Sequence, residues 1–381
     1  MQPLSVEVQG FPCNRVGEIC LKAYGVGVLG YGMMGSLHSF SYRGLSIFDQ
    51  ETPELRLIAV FGRTEENVRL FARRYGFECY YNDWRRLVDD DRVNVVDVCT
   101  PPSAHVEPSI AALERGKNVI CEKPLAARLE DAGRMVEAAE RSGAKSMIMF
   151  NVRFMPAIQY AKSLIKDGFL GQIYRFAGFY PRMSHVYPKR YFSWKDSIQT
   201  SGGGALLDLG VHIADLARFL VGDVRELSAT TETYIEERPV KGTGETRGVE
   251  IEDTGLVILK FECGVLGALE STKVATGGGD SMRIEVNGSE GAISWSLEKP
   301  SSLLIFSLGE KEVGWKEIMV KNPYPFMNEG WQGHIIGISH FLKSLEEDEA
   351  PEPSFRDGFK AQEIIDAAYR SSSEGKSIKI T

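Results

Sequence analysis

The sequence predicts an α/β chain: a doubly wound parallel sheet, then an α+β domain on a large, open, mostly antiparallel sheet. Three observations predict this. The apolar run Val26–Leu29 enters Gly30-Tyr31-Gly32-Met33-Met34-Gly35, a G-x-G-x-x-G at the turn from a strand into a helix. Up to residue 150, strand-like runs alternate with helix-like ones, the pattern of βαβ units. After residue 151, short strands follow one another across turn signals such as Glu262-Cys263-Gly264 and Gly277-Gly278-Gly279-Asp280, as in a hairpin-linked sheet.

Met34–Phe48 follows the glycine turn as a helix, and Leu55–Phe61 is the second strand. Thr64 caps a helix to Tyr75, with Glu65 and Glu66 in its first turn. Cys79–Tyr81 is a short strand, Asp83–Val88 a short helix and Val93–Cys99 the fourth strand. Ser103 caps a helix to Arg115, Asn118–Cys121 is the fifth strand, Leu129–Ser142 a helix ended by Gly143, and Lys145–Phe150 the sixth strand. Pro156–Asp167 is helical. Strands follow at Ile173–Tyr180, Val224–Glu236, Thr254–Phe261, Val265–Ser271, Met282–Asn287, Ala292–Leu297 and Leu303–Leu308. The helix Ala205–Val221 interrupts them, Pro239–Glu250 is a mobile loop, and Trp331–Leu345 and Phe355–Ser373 are helices. The expected units are an extension (1–22, no role assigned), a dinucleotide-binding domain (23–150), a substrate and oligomerisation domain (151–350) and a C-terminal helix packing back on the first sheet (351–381).

Composition narrows the function. The chain has 381 residues, 43% hydrophobic and 25% charged, which suits two globular cores. A net charge of −8 argues against nucleic acid or an acidic membrane as partner. No stretch has the length of a bilayer span or the form of a signal peptide. The six cysteines make no C-x-x-C pair, and no residue spacing offers a metal site. A soluble, reduced, cytoplasmic protein is expected.

Ligands of such a sheet bind beyond the carboxyl ends of its strands. In the glycine motif, Gly30 allows the turn, Gly32 lets a pyrophosphate approach and Gly35 lets the helix pack close. The second strand ends in Gly62-Arg63, with glycine where an acidic residue usually takes the ribose hydroxyls. Arg63 either stacks on adenine, pairs with a 2′-phosphate, or is a plain surface arginine. NAD and NADP both stay open, with a slight lean to NADP. After the fourth strand come Thr100-Pro101-Pro102 and His105, which lies on the helix surface or touches the nicotinamide side. After the fifth come Glu122-Lys123-Pro124; Lys123 holds an alkoxide-like oxygen or simply pairs with Glu122. Downstream, Gly202-Gly203-Gly204 leads to Asp208 and His212, four apart on one helix face. A histidine beside a carboxylate suits a general base; a helix-surface pair is the plain alternative.

Together, Gly30–Gly35, Thr100–His105, Glu122–Pro124, Asn151-Val152-Arg153-Phe154 and Gly202…Asp208…His212 resemble the glucose-fructose oxidoreductase / inositol dehydrogenase / MocA family. The resemblance runs from Tyr24 to the last helix. It implies an N-terminal Rossmann domain, a bound NAD or NADP contacted by Gly30, Tyr31, Gly32, Met33, Met34, Gly35, Arg63, Thr100, Pro101, His105, Glu122 and Lys123, and homodimers or homotetramers through the C-terminal sheet. It implies hydride transfer between nicotinamide and a secondary alcohol of a sugar or polyol. His212 would take the hydroxyl proton, Asp208 orient it or relay the proton, and Lys123 hold the oxygen. Apart from the resemblance, Arg153, Tyr180, Trp194 and Tyr324 are the expected pocket walls, Arg153 foremost because it lies at a domain junction, where pockets form; core or rim aromatics are the equal alternative for Trp194 and Tyr324. A glycosidase that uses the nicotinamide transiently and a non-catalytic dinucleotide sensor are the alternatives on this scaffold.

Overall fold

The protein is described by a computed structural model covering residues 23–49, 52–187, 189–309 and 313–380. The N-terminal extension lies outside the described residues. The first sheet comprises β1 (Ala23–Leu29), β2 (Glu54–Phe61), β3 (Cys79–Tyr81), β4 (Val95–Val98), β5 (Asn118–Glu122) and β6 (Ser146–Met149). The strands are parallel in the order β3-β2-β1-β4-β5-β6, which puts the order reversal between β1 and β4. Its helices are α1 (Met33–Phe48), α2 (Glu65–Tyr75), α3 (Trp84–Val88), α4 (Val106–Glu114) and α5 (Leu129–Ser142). Strand β1 is buried from Tyr24 to Leu29, as a strand with helices on both faces must be.

One local expectation fails here. Ser103 does not cap a helix; Pro102–Ala104 form a 3₁₀ turn, and α4 starts at Val106 with His105 at its N-cap. Two prolines suit that tight turn, because neither has an N–H to leave unpaired.

The second part begins with α6 (Pro156–Lys166), β7 (Ile173–Pro181) and α7 (Ile198–Ser201). A π-helical turn over Leu206–Gly210 then runs into α8 (Val211–Leu220). There follow β8 (Val224–Glu232), β9 (Glu237–Pro239), β10 (Thr246–Gly248), β11 (Thr254–Phe261), β12 (Leu266–Thr272), β13 (Arg283–Gly288), β14 (Gly291–Ser296), β15 (Ser302–Ser307) and β16 (Trp315–Met319). Last come α9 (Gln332–Glu346), α10 (Phe355–Glu374) and β17 (Ile378–Lys379). The nine-stranded order is β16-β15-β14-β13-β7-β12-β11-β8-β17, antiparallel except for the parallel pair β12–β7.

The differences from expectation have local reasons. The run Val224–Glu236 breaks after Glu232, where Tyr234 and Ile235 turn their N–H groups onto the Asp253 carboxylate. Part of the expected loop Pro239–Glu250 is instead a ribbon of β9 with β10. Strands β16 and β17 went unforeseen: β16 is mostly exposed, without a buried apolar face, and β17 is two residues long.

The large sheet has two unlike faces. In β11 the residues alternate, with Val257, Leu259 and Phe261 buried in the core shared with α6, α8 and α10. The other face leaves Leu256, Ile258, Leu266, Leu304, Trp315 and Met319 exposed. Helix α10, held at its start by a reciprocal Ser354–Asp357 capping box, packs against α5 and β6 of the first sheet and α8 and β8 of the second.

Candidate active site

The glycine turn is shaped for a dinucleotide. Gly30 has φ +111°, a conformation that disfavours a side chain, and its N–H donates to Phe61 O at 3.0 Å. A Cβ on Gly35 would come within 2.1 Å of Gly30 O, so only glycine lets α1 start this close to β1. At Gly32 a Cβ would meet nothing within 4 Å: the turn faces open space at the N-terminus of α1, where a pyrophosphate is favoured. Met33 is exposed beside it, and Arg63 is exposed past β2.

Past β4, Thr100 Oγ1 donates to Ala104 O at 3.1 Å. His105 is neither on the helix surface nor facing open space: it is fully buried. Its Nε2 lies 2.7 Å from Thr100 O, and its Nδ1 lies 3.1 Å from Pro124 O and 3.3 Å from Leu125 O. It ties the loop after β4 to the loop after β5.

Lys123, just past β5, reaches the π-helical turn. Its Nζ donates to Asp208 O at 2.7 Å and lies 3.0 Å from Asp208 Oδ1. A π turn widens the hydrogen-bond spacing and leaves a carbonyl free, here for the ammonium. The turn also alters the expected Asp208–His212 pairing. Asp208 gives Oδ2 to Lys273, at 3.2 Å, and to Lys195, at 3.6 Å, and among the described residues its ion-pair partners are these three lysines. Burial would push its carboxyl up, but Lys273, Lys123 and Lys195 hold it well below the usual carboxylate range. No residue pattern announced Lys195 or Lys273: neither stands at a helix or strand spacing from Asp208.

His212 sits between Phe150 and Tyr180, with ring centroids at 6.2 Å and 6.1 Å. Its Nδ1 is buried with no hydrogen-bond partner. Burial, and after it the Lys123 ammonium, hold its pKa well below the ordinary histidine value, so the ring is neutral at physiological pH. Lys123, Asp208 and His212 thus lie together past β5 and the π turn.

Below Lys123 is a buried polar network that spacing also did not reveal. His38 on α1 faces the Asp97 carboxylate with Nδ1, at 3.0 and 2.9 Å, and Glu122 Oε1 with Nε2, at 3.1 Å. Tyr42 OH and Cys99 Sγ donate to the same Asp97, which brings the Cys99 thiol into the network. Burial would lower the His38 pKa, but Asp97 and Cys99 outweigh it and hold it well above its ordinary value. Glu122 is in turn drawn down to about 2 by His38, His334 and Lys123 against its burial. His334 Nε2 lies 3.8 Å from Glu122 Oε1, and burial brings its own pKa to about 4. An imidazolium at His38 supplies the positive charge that two buried carboxylates need.

The expected pocket walls separate. Arg153 is buried, paired with Asp215 and stacked on Phe219 at 4.9 Å. Tyr324 hydrogen-bonds through its hydroxyl to Asp49, at 2.7 Å, and Ser339, at 3.1 Å, between the end of α1 and α9. Tyr180 is buried beside His212. Trp194 is half exposed, immediately before Lys195 of the charged cluster.

Two family models match. Residues 24–150 match the oxidoreductase family NAD-binding Rossmann fold, and residues 162–380 its C-terminal alpha/beta domain. The chain is 32% identical to a levoglucosan dehydrogenase of Pseudarthrobacter phenanthrenivorans, covering 92% of this chain and 96% of the relative. It is 29% identical to a myo-inositol 2-dehydrogenase of Thermotoga maritima, covering 93% and 98%. Among solved structures, a levoglucosan dehydrogenase in complex with NADH and levoglucosan superposes with a TM-score of 0.90 at 31% identity, over 94% of this chain and all of the other.

Proposed function

Since the chain belongs to the glucose-fructose oxidoreductase / inositol dehydrogenase / MocA family of oxidoreductases, we propose that it is an NAD-dependent dehydrogenase acting on a secondary CH–OH of a sugar or polyol. The observation that carries this is the meeting of the Lys123 ammonium, ionised Asp208 and neutral His212 past the end of β5. The residues fit the cofactor: Gly32 opens onto free space at a helix N-terminus, and both ends of the Gln332 amide, two residues before His334, are buried without hydrogen-bond partners.

The nicotinamide, when bound, accepts or returns the hydride at C4. The chain's residues do the rest. Lys123 donates to the substrate oxygen and stabilises the charge that develops there. His212, whose Nδ1 is buried, takes the hydroxyl proton at Nε2 and gives it back in the reverse direction. Asp208 holds Lys123 through both its carbonyl and its carboxylate. In this reading Asp208 positions the lysine and does not pair with His212.

For the cofactor we favour NAD over NADP. The lean to NADP rested on Gly62, and the structure gives that glycine another reason: the Tyr31 ring fills the space beside it. The relative with 0.90 TM-score is in complex with NADH. We also read the exposed apolar face of the nine-stranded sheet as the surface of a homodimer or homotetramer, and the free thiols of Cys79, Cys99, Cys121 and Cys263 as those of a cytoplasmic protein.

The test is absorbance in the reduced-nicotinamide band, with NAD and NADP separately, across sugars and polyols. Reduction of NAD by at least one of them is expected. Tight NADH binding with no turnover of any alcohol would move the protein to the sensor or glycosidase alternatives.

A further inference from the structure

Three ammonium groups converge on the single carboxylate of Asp208. Lys123 takes Oδ1, while Lys273 and Lys195 share Oδ2. The Lys273 side chain is 2% exposed and forms the floor of the cluster; that of Lys195 is 41% exposed and forms its rim. Among the described residues no other carboxylate is within ion-pair distance of the three lysines, and the acidic groups packed nearby are engaged elsewhere. Asp280 pairs with Arg182, Asp196 with Arg190, Asp253 with His185 and Glu122 with His38. Glu252 accepts from Gly204 N, Leu206 N and Tyr369 OH. His212 is neutral. Three lysines thus share one carboxylate at ion-pair distance, with the Glu252 carboxylate acting on Lys273 from further off.

Ammonium groups that outnumber their carboxylate partners are costly where they are buried, as Lys273 is, and are tolerated where a ligand brings the opposite sign. An alkoxide developing on the reacting oxygen needs one ammonium, and Lys123 provides it. We propose that the preferred substrate is a sugar bearing an acid group, a carboxylate or a phosphate ester, near the reacting hydroxyl, and that Lys273 and Lys195 recognise that group. The inference rests on the dehydrogenase reading and sharpens its substrate class. Lys273 and Lys195 are specificity residues in it, and the hydride and proton steps are unchanged.

The experiment compares matched substrates on the full-length protein with NAD: glucose, glucuronate, gluconate and glucose 6-phosphate, with the corresponding galactose and mannose sets. An acid form should exceed its neutral parent in kcat/KM by about tenfold or more, the worth of one charge-assisted hydrogen bond. Whether uronates or phosphates lead identifies the anion. Added salt should shrink the preference. Lys273→Met and Lys195→Met should each reduce the acid-to-neutral ratio by about tenfold, through KM for the acid. If Lys273→Met does not fold, Lys195→Met at the rim still decides. Neutral sugars used as well as their acids, or variants that lower kcat equally for both, would overturn the inference and leave the dehydrogenase standing. No NAD reduction by any sugar, with NADH still bound, would take down the dehydrogenase reading and this inference with it.

Discussion

The Tyr31 ring occupies the space that a side chain at Gly62 would need: a Cβ there would lie 2.2 Å from Tyr31 Cδ1 and 2.2 Å from Cε1. Gly62 is thus a steric partner of the glycine turn, at the strand end where the sequence leads one to expect the ribose contact. Installing an acidic residue there should fail to improve NAD binding. Gly62→Asp is expected to weaken NADH binding, at the ~1–3 kcal/mol cost of overpacking, and Gly62→Asp with Tyr31→Ala should recover most of it. Fluorescence titration of NADH checks both.

Lys123→Met removes the ammonium that we propose holds the substrate oxygen. We expect kcat to fall by about 10²–10³, the usual cost of losing one such donor, with NADH affinity close to wild type. Single-turnover reduction of NAD separates the two effects. Wild-type turnover in the variant would move the chemistry away from Lys123.

His212 has a folded pKa below the ordinary value of about 6.5, chiefly from burial and then from Lys123. Protonating it is unfavourable in the folded protein, so it remains a base as pH falls through 6.5. The acid limb of kcat/KM should lie below the ordinary histidine range. Because Lys123 contributes to the depression, the residual activity of Lys123→Met should lose its acid limb at higher pH than wild type. A pH–rate profile of both proteins tests this.

His38 has the opposite sign, its folded pKa being raised by Asp97 and Cys99 despite burial. Its stabilising contribution is complete below about pH 6.5 and is lost as pH rises through the raised folded value. His38→Gln should lower stability most near neutral pH and below, and flatten the alkaline decline. Urea unfolding at a series of pH values measures it.

Arg153 and Asp215 form a buried ion pair. Arg153→Met leaves Asp215 buried without its partner and should cost about 3–5 kcal/mol of folding stability. Arg153→Met with Asp215→Leu should recover much of it. Denaturant unfolding reads the loss, and the sugar KM of the double variant reads whether Arg153 also touches the substrate: a value near wild type would make it a purely structural residue.

Much of this was legible because it is local. The helix Leu129–Ser142 and the strand Thr254–Phe261 stand where the sequence placed them, since each carries its own apolar period and its own end signal. The glycine turn was legible for the same reason. What escaped depends on contacts between distant segments. Asp97 lies 59 residues from His38, so their pairing leaves no pattern along the chain. Arg153 was placed in the pocket because a domain junction is where pockets form; its partner Asp215, 62 residues on, carries no mark in the sequence. The unbroken helix over Ala205–Val221 was the reading that periodicity supports, because a π turn and an α turn bury the same residue types.

That π turn makes chain length a functional property. A π turn holds one residue more than α winding over the same arc, about five residues turning as far as four, so deleting one residue other than Asp208 within Leu206–Gly210 and restoring α-helical winding would leave His212 facing nearly the same way but would close the Asp208 carbonyl into the helix's own hydrogen bonds. Every residue type named at the site would still be present in such a variant, yet Lys123 would have lost the carbonyl that aims it. Substitutions can adjust this centre by degrees; a single-residue deletion dismantles it at once.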